Sequence, residues 1–453
     1  MATETESLEE SLARHGQRHL LESVDDLAPD VRARFLERLA QVEWDELGEG
    51  PEPIPLDDVE AARVVTLREL DERADELVPA GEAAYREGRV AVLMVAGGQG
   101  TRLGFPGPKG CFPIGPLSGK TIYRLQAEKV LSLSRRIGHD VPFLVMTSPT
   151  TDEATREAFA EHASYGLAED QARFFVQGTV PSVDRDGRAL LAGPGRLLEN
   201  PDGHGGSFTA LAASGELDRL RAQGITHLVY LQVDNLLAVV DDPRLVGLAA
   251  SQEADVVTKV LEKTHPGEKV GHLVRVAGRD RIVEYTELSP EQTRAPGPDG
   301  KPLYRWGSPS LHCWSLAFFA RLLQRGHRLP LHRSPKPLKA WVHGQVREVQ
   351  GWKYERFVFD LVAEAERSVG MEIDRDAEFA PVKNATGDDS PATAVELAER
   401  QYVEWLEAAG VRVSLPPGAH VEISPLLGAT RERFLERWDG RLHEVARDCY
   451  LEP

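Results

Sequence analysis

The order of apolar and polar residues along the chain predicts an alternation of strands and helices. Short apolar runs, typical of strands that are buried on both faces, occur at residues 90–95, 141–146, 174–176 and 227–233. Between them, apolar residues recur at helical spacing, most regularly in residues 120–131. This alternation predicts an α/β fold with a mixed, mostly parallel sheet, whose ligand loops lie at the carboxyl ends of the strands.

The two ends of the chain follow other patterns. Apolar residues recur at helical spacing in residues 29–42 and again in residues 61–77, and Pro51, Pro53 and Pro55 interrupt the pattern between them. The last part of the chain mixes short strand and helix patterns. We therefore predict a helical N-terminal segment over 1–80, a catalytic domain over 81–385 and a small C-terminal α+β domain over 386–453.

Three stretches between the catalytic strands and the C-terminal segment carry further structural predictions. Residues 289–302 are rich in proline, glycine and charge, which predicts an exposed loop. Residues 324–350 hold many basic residues and prolines, and we expect a long surface connection there. Residues 353–361 predict the beginning of a helix with an apolar face.

The stretch over residues 96–110 points to chemistry. Four glycines fall between positions 97 and 104, directly after the apolar run, and Arg102 and Lys109 add positive charge. A glycine turn after a buried strand aims backbone N–H groups at one point, which suits phosphate oxygens. The spacing matches neither the P-loop nor the complete dinucleotide fingerprint. We predict that this loop holds a nucleoside triphosphate.

A carboxylate follows another apolar run, at Asp234. Mg²⁺ prefers one or two carboxylates together with phosphate oxygens and water, so Asp234 is a candidate ligand beside a triphosphate. The alternative is that Asp234 is an ordinary turn or capping residue. A second glycine-rich turn spans residues 201–206.

Composition and charge narrow the class of protein. The net charge of −19 argues against a general nucleic-acid surface, which needs a basic stripe. Three cysteines without a C-x-x-C pair predict neither a disulfide framework nor a structural zinc site. No apolar run approaches 18 residues, so we expect a cytoplasmic protein that binds neither membranes nor nucleic acid. The oligomeric state stays open.

Taken together, these motifs resemble the UDP-sugar pyrophosphorylases, and most closely their UDP-N-acetylglucosamine pyrophosphorylase branch. The resemblance begins in residues 96–110 and 119–128 and continues in the same order to about residue 430. The further blocks are residues 146–148, 175–178, 201–206, 233–235, 270–271, 283–287, 355–360, 378–384 and 422–426.

The resemblance implies a Rossmann-like nucleotidyltransferase core that transfers UMP from UTP to a sugar 1-phosphate and releases pyrophosphate. It implies Mg²⁺ as the cofactor, bound by Asp234. The implied nucleotide contacts are the backbone of Ala96, Gly97 and Gly98, Arg102 and Lys109 on the triphosphate, and Gln177 and Gly203 on uracil.

The resemblance also implies the contacts of the sugar 1-phosphate. Glu284 and Tyr285 would contact the sugar, Lys383 the sugar phosphate, and Lys353 the phosphates at the reaction centre. Arg102, Lys109 and Lys353 would then be the catalytic cations. No strong protein base is needed, because a phosphate monoester is already largely ionised at neutral pH.

Two positions depart from the family pattern beside the sugar. Ser308 and His204 stand where the N-acetylglucosamine branch has asparagines. The acceptor is therefore left open between N-acetylglucosamine 1-phosphate and glucose 1-phosphate. The alternative function is a catalytically silent regulatory protein of the same fold that binds nucleotide sugars.

Overall fold

The computed structural model describes residues 7–22, 24–48, 50–51, 59–297 and 300–453. Pro53 and Pro55, which interrupt the N-terminal helical pattern, and residues 298–299 of the predicted loop lie outside the described residues. The chain forms two units, each built from separate stretches. The first comprises 1–54, 177–209 and 328–360, and the second comprises 55–176, 210–327 and 361–453. The boundaries at 80/81 and 385/386 stay a prediction.

The first unit contains helices from the N-terminal segment. The predicted helix is observed as Pro29–Gln41, with proline in its first turn, where the missing N–H has no intrahelical partner. Phe35 and Leu39 from this helix pack with Leu12, Ala189 and Leu197 in a small core. The other elements are Leu8–Arg14, three short 3₁₀ helices (Arg18–Leu21, Val24–Asp26 and Trp44–Glu46), and the strands Thr179–Pro181, Val183–Asp184, Leu191–Gly193, Arg196–Leu197 and Glu199–Pro201.

A long β-hairpin in the first unit replaces the predicted surface connection over 324–350. Its strands His332–Val342 and Gln345–Glu355 pair over eleven residues each, so that prediction is wrong. Pro335 and Pro337 obscured the strand pattern. Both lie on the outer strand, where proline is tolerated because one row of N–H groups has no ladder partner. The helix predicted from residue 353 is also wrong, because the strand continues to Glu355 and a 3₁₀ helix, Val358–Glu364, follows.

A sheet of twelve strands organises the second unit. Four neighbouring strands are parallel: Ala172–Val176, Phe143–Thr147, Val90–Val95 and His227–Gln232. The sheet continues through His312–Ser315, Val256–Glu262, Trp306–Ser308, Gly271–Val276 and Val59–Ala61, with Arg279–Val283, Ser368–Glu372 and Val64–Val65 paired beside this path. The predicted α/β fold with a mixed, mostly parallel sheet is confirmed.

Helices cover the parallel strands. The predicted helix near residues 120–131 is observed as Ile122–Ile137, with Thr121 as its N-cap and Gly138 in left-handed conformation at its end. Further helices of this unit are Leu67–Glu72, Ala74–Arg86, Asp152–Glu161, Glu216–Ala222, Pro243–Ser251, Leu316–Gln324 and Arg375–Glu378, and Gly206–Ala213 begins in the first unit. Short 3₁₀ helices are Thr101–Leu103, Lys109–Cys111, Ala163–Gly166, Tyr285–Glu287 and Gln292–Arg294.

The helical pattern predicted over 61–77 is partly wrong. Val64–Val65 is a strand, because its β-branched residues pair in parallel with Ser368–Glu372. The helix begins only at Leu67, after the N-cap Thr66.

The C-terminal residues fold as predicted into a small α+β structure with its own apolar cluster. Its elements are Pro391–Ala408, Arg412–Val413, Val421–Ile423, Arg431–Arg437, Glu444–Val445 and Cys449–Leu451.

Candidate active site

The glycine loop leaves the carboxyl end of Val90–Val95 as an open cradle. Ala96 is buried, whereas Gly98 is exposed, and a Cβ on Gly98 would meet nothing within 4 Å. Lys109 N–H donates to the Gly98 carbonyl at 3.0 Å, which closes the loop on itself. Among the described residues, no acceptor pairs with the amide N–H groups of Gly97, Gly98 and Gln99. These donors suit an anion at the strand end.

Lys109 and Asp234 meet at this edge of the sheet. Their Nζ and Oδ2 atoms are 2.9 Å apart, and both side chains are largely buried. The contact follows from the topology, because Asp234 emerges from His227–Gln232, the parallel neighbour of Val90–Val95. The positions predicted for the triphosphate and for the metal therefore lie together.

A third charged group completes this cluster. The segment with Lys383 runs beside Asp234, and Val382 N–H donates to the Asp234 carbonyl at 2.9 Å. Burial favours a raised pKa for Asp234, but the charges of Lys109 and Lys383 outweigh it and hold that pKa below its ordinary value. Asp234 is therefore a carboxylate at neutral pH, as metal binding requires.

The side chains at this cluster include one carboxylate that could serve as a ligand of a hard cation such as Mg²⁺. Nowhere in the described part of the chain do three His, Cys, Asp or Glu side chains gather as a complete metal cage. Asp234 supplies one ionised oxygen ligand, so phosphate oxygens and water would have to supply the others. This is the ligand set that Mg²⁺ usually has in nucleotide-dependent enzymes.

Among the predicted sugar contacts of the second unit, Ser308 ends the strand Trp306–Ser308, and Glu284 and Tyr285 directly follow the strand Arg279–Val283. Gly271 pairs with Ser308, and a Cβ on Gly271 would lie 3.3 Å from Oε1 of Glu284. Ser308 and Glu284 thus lie on either side of Gly271, which has no side chain. Tyr285 is exposed beside them. Arg102 also lies in this unit, but it is exposed and no described residue forms a hydrogen bond or ion pair with it.

The residues predicted to contact uracil belong to the first unit. Gln177 is buried, and its Oε1 has no hydrogen-bond partner among the described residues. Its neighbour Gly178 accepts a hydrogen bond from Asp202 N–H at 3.0 Å, which brings the second glycine turn alongside. Burial raises the pKa of Asp202 to about 6, and one oxygen of this carboxyl also has no described partner.

The second glycine turn packs tightly against the end of the hairpin. Gly203 has a φ of 89°, and a Cβ there would lie 2.5 Å from the Arg356 carbonyl, so glycine is required. His204 stacks on Phe357 at 5.4 Å between ring centroids and accepts a hydrogen bond at Nδ1 from Val358 N–H. That bond assigns the neutral ring the Nε2–H tautomer.

Lys353 lies on the hairpin strand Gln345–Glu355. Its Nζ is 2.6 Å from Oε1 of Glu355, and both side chains are partly exposed. It belongs to the first unit, whereas Lys109 and Asp234 belong to the second. Its role in the reaction stays a prediction, as do the other predicted roles of individual residues.

A group of buried polar residues around Asp234 was missed from the sequence. Gln126 and Lys129 donate hydrogen bonds to the turn that carries Asp234 and Asn235. Lys259 pairs with Asp242 at 2.6 Å and with Glu378 at 2.5 Å. One signal was available. Lys259 stands inside the otherwise apolar run of Val256–Glu262, where a charge needs a partner.

The fold and this cluster define an α/β nucleotidyltransferase, and comparison with known proteins identifies the family. The family described as "UTP--glucose-1-phosphate uridylyltransferase" matches residues 35–390. The chain belongs to this family of UDP-sugar pyrophosphorylases, and its relatives place it in the UDP-N-acetylglucosamine branch. The predicted family and the predicted enzymatic activity, sugar 1-phosphate uridylyltransfer, are thereby confirmed.

Three relatives illustrate the similarity. "UDP-N-acetylglucosamine diphosphorylase 2" of Arabidopsis thaliana is 33% identical over 462 residues, which cover 96% of this chain and 91% of the relative. "UDP-N-acetylglucosamine pyrophosphorylase" of Saccharomyces cerevisiae is 34% identical, covering 80% and 79%. The solved structure of the Trypanosoma brucei uridine diphosphate N-acetylglucosamine pyrophosphorylase has a TM-score of 0.80 at 28% identity, covering 98% and 99%.

One further observation concerns membranes. No helix among the residues that the structure describes is both long and apolar enough to cross a bilayer.

Proposed function

We propose that this protein transfers UMP from UTP to N-acetylglucosamine 1-phosphate or glucose 1-phosphate, with Mg²⁺ bound by Asp234. The observation that carries the proposal is the largely buried pair of Lys109 and Asp234 beside the glycine loop, together with the partly exposed Lys383, whose charge also lowers the pKa of Asp234. It combines a metal ligand, two cations and a backbone cradle at one sheet edge. Charge neutralisation and positioning are the main requirements of phosphoryl and nucleotidyl transfer.

Each group then has a chemical role. The amide N–H groups of residues 97–99 hold phosphate oxygens, and Lys109 and Arg102 neutralise the triphosphate. Lys383 holds the sugar phosphate so that its oxygen faces the α-phosphorus, and Lys353 contacts the phosphates at the reaction centre. The attacking phosphate is already ionised, so no side chain needs to remove a proton. Mg²⁺, when bound, supplies further neutralisation of the charge on the transferring and leaving phosphates.

The base and the sugar are recognised by other residues. Gln177 and Gly203 contact uracil. Oε1 of Gln177 has no hydrogen-bond partner in the described part of the chain, which suits a ring N–H donor. Glu284, Tyr285, Ser308 and His204 contact the sugar. The acceptor remains a choice between the two sugar phosphates, because Ser308 and His204 replace asparagines of the branch.

We also propose that the protein acts in the cytoplasm and binds no nucleic acid. Its three cysteines, Cys111, Cys313 and Cys449, are all free thiols, which a reducing compartment preserves. The net charge of −19 disfavours polyanion binding.

The test is a pyrophosphate-release assay with UTP, Mg²⁺ and a panel of sugar 1-phosphates. We expect release with at least one of the two named acceptors, and its loss in Asp234→Asn. A protein that binds UTP in calorimetry but releases no pyrophosphate with any acceptor would instead be a regulatory binder of nucleotide sugars.

A further inference from the structure

The turn that carries Asp234 is tied to the segment that carries Lys383 by one amide side chain. Asn235 Nδ2–H donates to the Glu378 carbonyl at 2.8 Å, and its Oδ1 accepts from Ala380 N–H at 2.9 Å. Asn235 is 2% exposed. The amide nitrogen and oxygen of Asn235 therefore form hydrogen bonds with two backbone groups of the neighbouring segment, as the backbone of a paired strand would.

Backbone hydrogen bonds continue this contact on both sides of Asn235. Val382 N–H donates to the Asp234 carbonyl, and Leu236 N–H donates to the Ala380 carbonyl at 3.1 Å. The two segments thus run side by side from Asp234 to Lys383. The Asn235 side chain anchors the pair at the end away from Lys383.

An ion pair holds the segment with Lys383 to the sheet. The Glu378 carboxylate pairs with Lys259, which is fully buried and also pairs with Asp242. Burial opposes the charged form of Lys259, but the two carboxylates raise its pKa above the ordinary value. Glu378 is therefore fixed to a central strand of the sheet.

The turn with Asp234 is held from its other side by the helix Ile122–Ile137. Gln126 Nε2 donates to the Asn235 carbonyl at 2.8 Å. Lys129 Nζ donates to the carbonyls of Leu236 at 2.6 Å and Ala238 at 2.9 Å. With both segments fixed in this way, the Asn235 amide and the two backbone hydrogen bonds set how the Asp234 turn and the Lys383 segment meet.

We propose that Asn235 is a positioning residue that aligns the turn that carries Asp234 with the segment that carries Lys383. The inference rests on the proposed function, because it assigns the metal and the sugar phosphate to these two groups. Asn235 acts through hydrogen bonds to backbone atoms and contacts no substrate itself. Its loss would leave both charged groups present but misplaced.

The test compares Asn235→Ala with Gln171→Ala. Gln171 is also a buried amide that joins chain segments, with hydrogen bonds to Ser134 Oγ at 2.9 Å and to the Val141 carbonyl at 3.0 Å, but it lies at the opposite ends of the parallel strands. We expect similar losses of melting temperature in both variants. We expect kcat to fall about 10- to 100-fold in Asn235→Ala alone, as for other residues that support metal ligands.

A binding measurement makes the test independent of turnover. Calorimetry measures the affinity for UTP with and without Mg²⁺. We call the ratio of these two affinities the metal enhancement. We expect this enhancement to fall about tenfold in Asn235→Ala and to be unchanged in Gln171→Ala. Equal enhancement in the wild type and Asn235→Ala overturns the inference, as does an equal loss in both variants.

A double-mutant cycle separates positioning from general destabilisation. Because Asn235 acts by placing the Lys383 segment, Asn235→Ala should cost clearly less activity in a Lys383→Gln background than in the wild type. Additive losses overturn the inference. If Asn235→Ala does not fold, Asn235→Ser is measured in its place. If neither variant folds while Gln171→Ala does, Asn235 is a structural residue and the inference fails.

The outcomes also separate this inference from the proposed function. A wild-type protein that binds UTP with a metal enhancement but transfers no UMP refutes the function, and the enhancement ratio still decides the role of Asn235. A wild-type protein that turns over while Asn235→Ala behaves like Gln171→Ala refutes only the inference. A wild-type protein that does not bind UTP refutes both.

Discussion

The Nζ atom of Lys109 lies 2.9 Å from Oδ2 of Asp234, although 125 residues separate the two in the chain. The pair stands where two parallel strands end, one leading into the glycine loop and the other into the Asp234 turn. Under the proposed function, this pair receives the triphosphate and its metal.

Removing either partner of this pair should abolish most activity. We expect Lys109→Ala to lower kcat/KM about 100- to 1,000-fold, because a preorganised charge on the phosphates is lost. Asp234→Asn should cost at least as much and should weaken the response to Mg²⁺. Steady-state kinetics check this, with the exposed Lys339→Ala as the control. A loss of less than about fivefold in Lys109→Ala would contradict its role.

Gly98→Ala should impair UTP binding while leaving the fold intact. The added Cβ meets no protein atom within 4 Å, so the melting temperature should not change. The methyl group would instead stand where the cradle receives phosphate, and we expect KM for UTP to rise about tenfold. Gly48→Ala is the matched control, because its Cβ also enters open space. An unchanged KM for UTP in Gly98→Ala would show that phosphate does not approach this residue.

Asp202 should make the protein less stable as the pH rises. Burial raises its folded-state pKa to about 6, so the native state holds a proton that the unfolded chain releases near pH 4. The stabilisation that this proton gives is complete below pH 4. The free energy of unfolding then falls by about 2 to 3 kcal/mol as the pH rises to about 6.

Asp202→Asn should remove this dependence. The melting temperature of the variant relative to the wild type should therefore increase between pH 4 and pH 7. Thermal unfolding measures it, with the exposed Asp186→Asn as the control. A constant difference across this range would mean that Asp202 titrates normally in the folded protein.

Lys259→Met should be strongly destabilising although the residue carries no predicted catalytic role. It would leave the Asp242 and Glu378 carboxylates buried near one another without a cation, at a cost of about 3 to 5 kcal/mol. Adding Glu378→Gln to this variant should restore part of the loss. Denaturant unfolding measures both, with Lys336→Met on the exposed hairpin as the reference. Wild-type stability in Lys259→Met would show that the ion pairs contribute nothing.

The sequence predicted those elements of the fold whose apolar residues form a regular pattern. Val90–Val95 was predicted with its observed bounds, because its unbroken apolar run matches a strand that is buried in the sheet. The hairpin His332–Glu355 was missed, because its strands are largely exposed and carry charges and prolines rather than an alternating apolar face. A regular spacing of apolar residues indicates an element with a buried face. An exposed hairpin has no such face, so its sequence shows no regular apolar spacing.

The candidate site was predictable to a similar degree. Lys109 and Asp234 follow buried strands, and the parallel topology brings such positions to one edge. Arg102 was grouped with them from its place in the glycine loop, yet it is exposed and no described residue pairs with it. Asn235 and Glu378 could not be paired from sequence, because their contact joins a side chain to a backbone carbonyl 143 residues away.

The most direct measurement of the central claim follows the α-phosphate itself. The protein is incubated with UTP labelled at the α-phosphorus, Mg²⁺ and either N-acetylglucosamine 1-phosphate or glucose 1-phosphate. We expect label to appear in a UDP-sugar in equal amount to the pyrophosphate released, and not in the Asp234→Asn variant. Absence of labelled UDP-sugar with both acceptors, in a protein that binds UTP, would contradict the account.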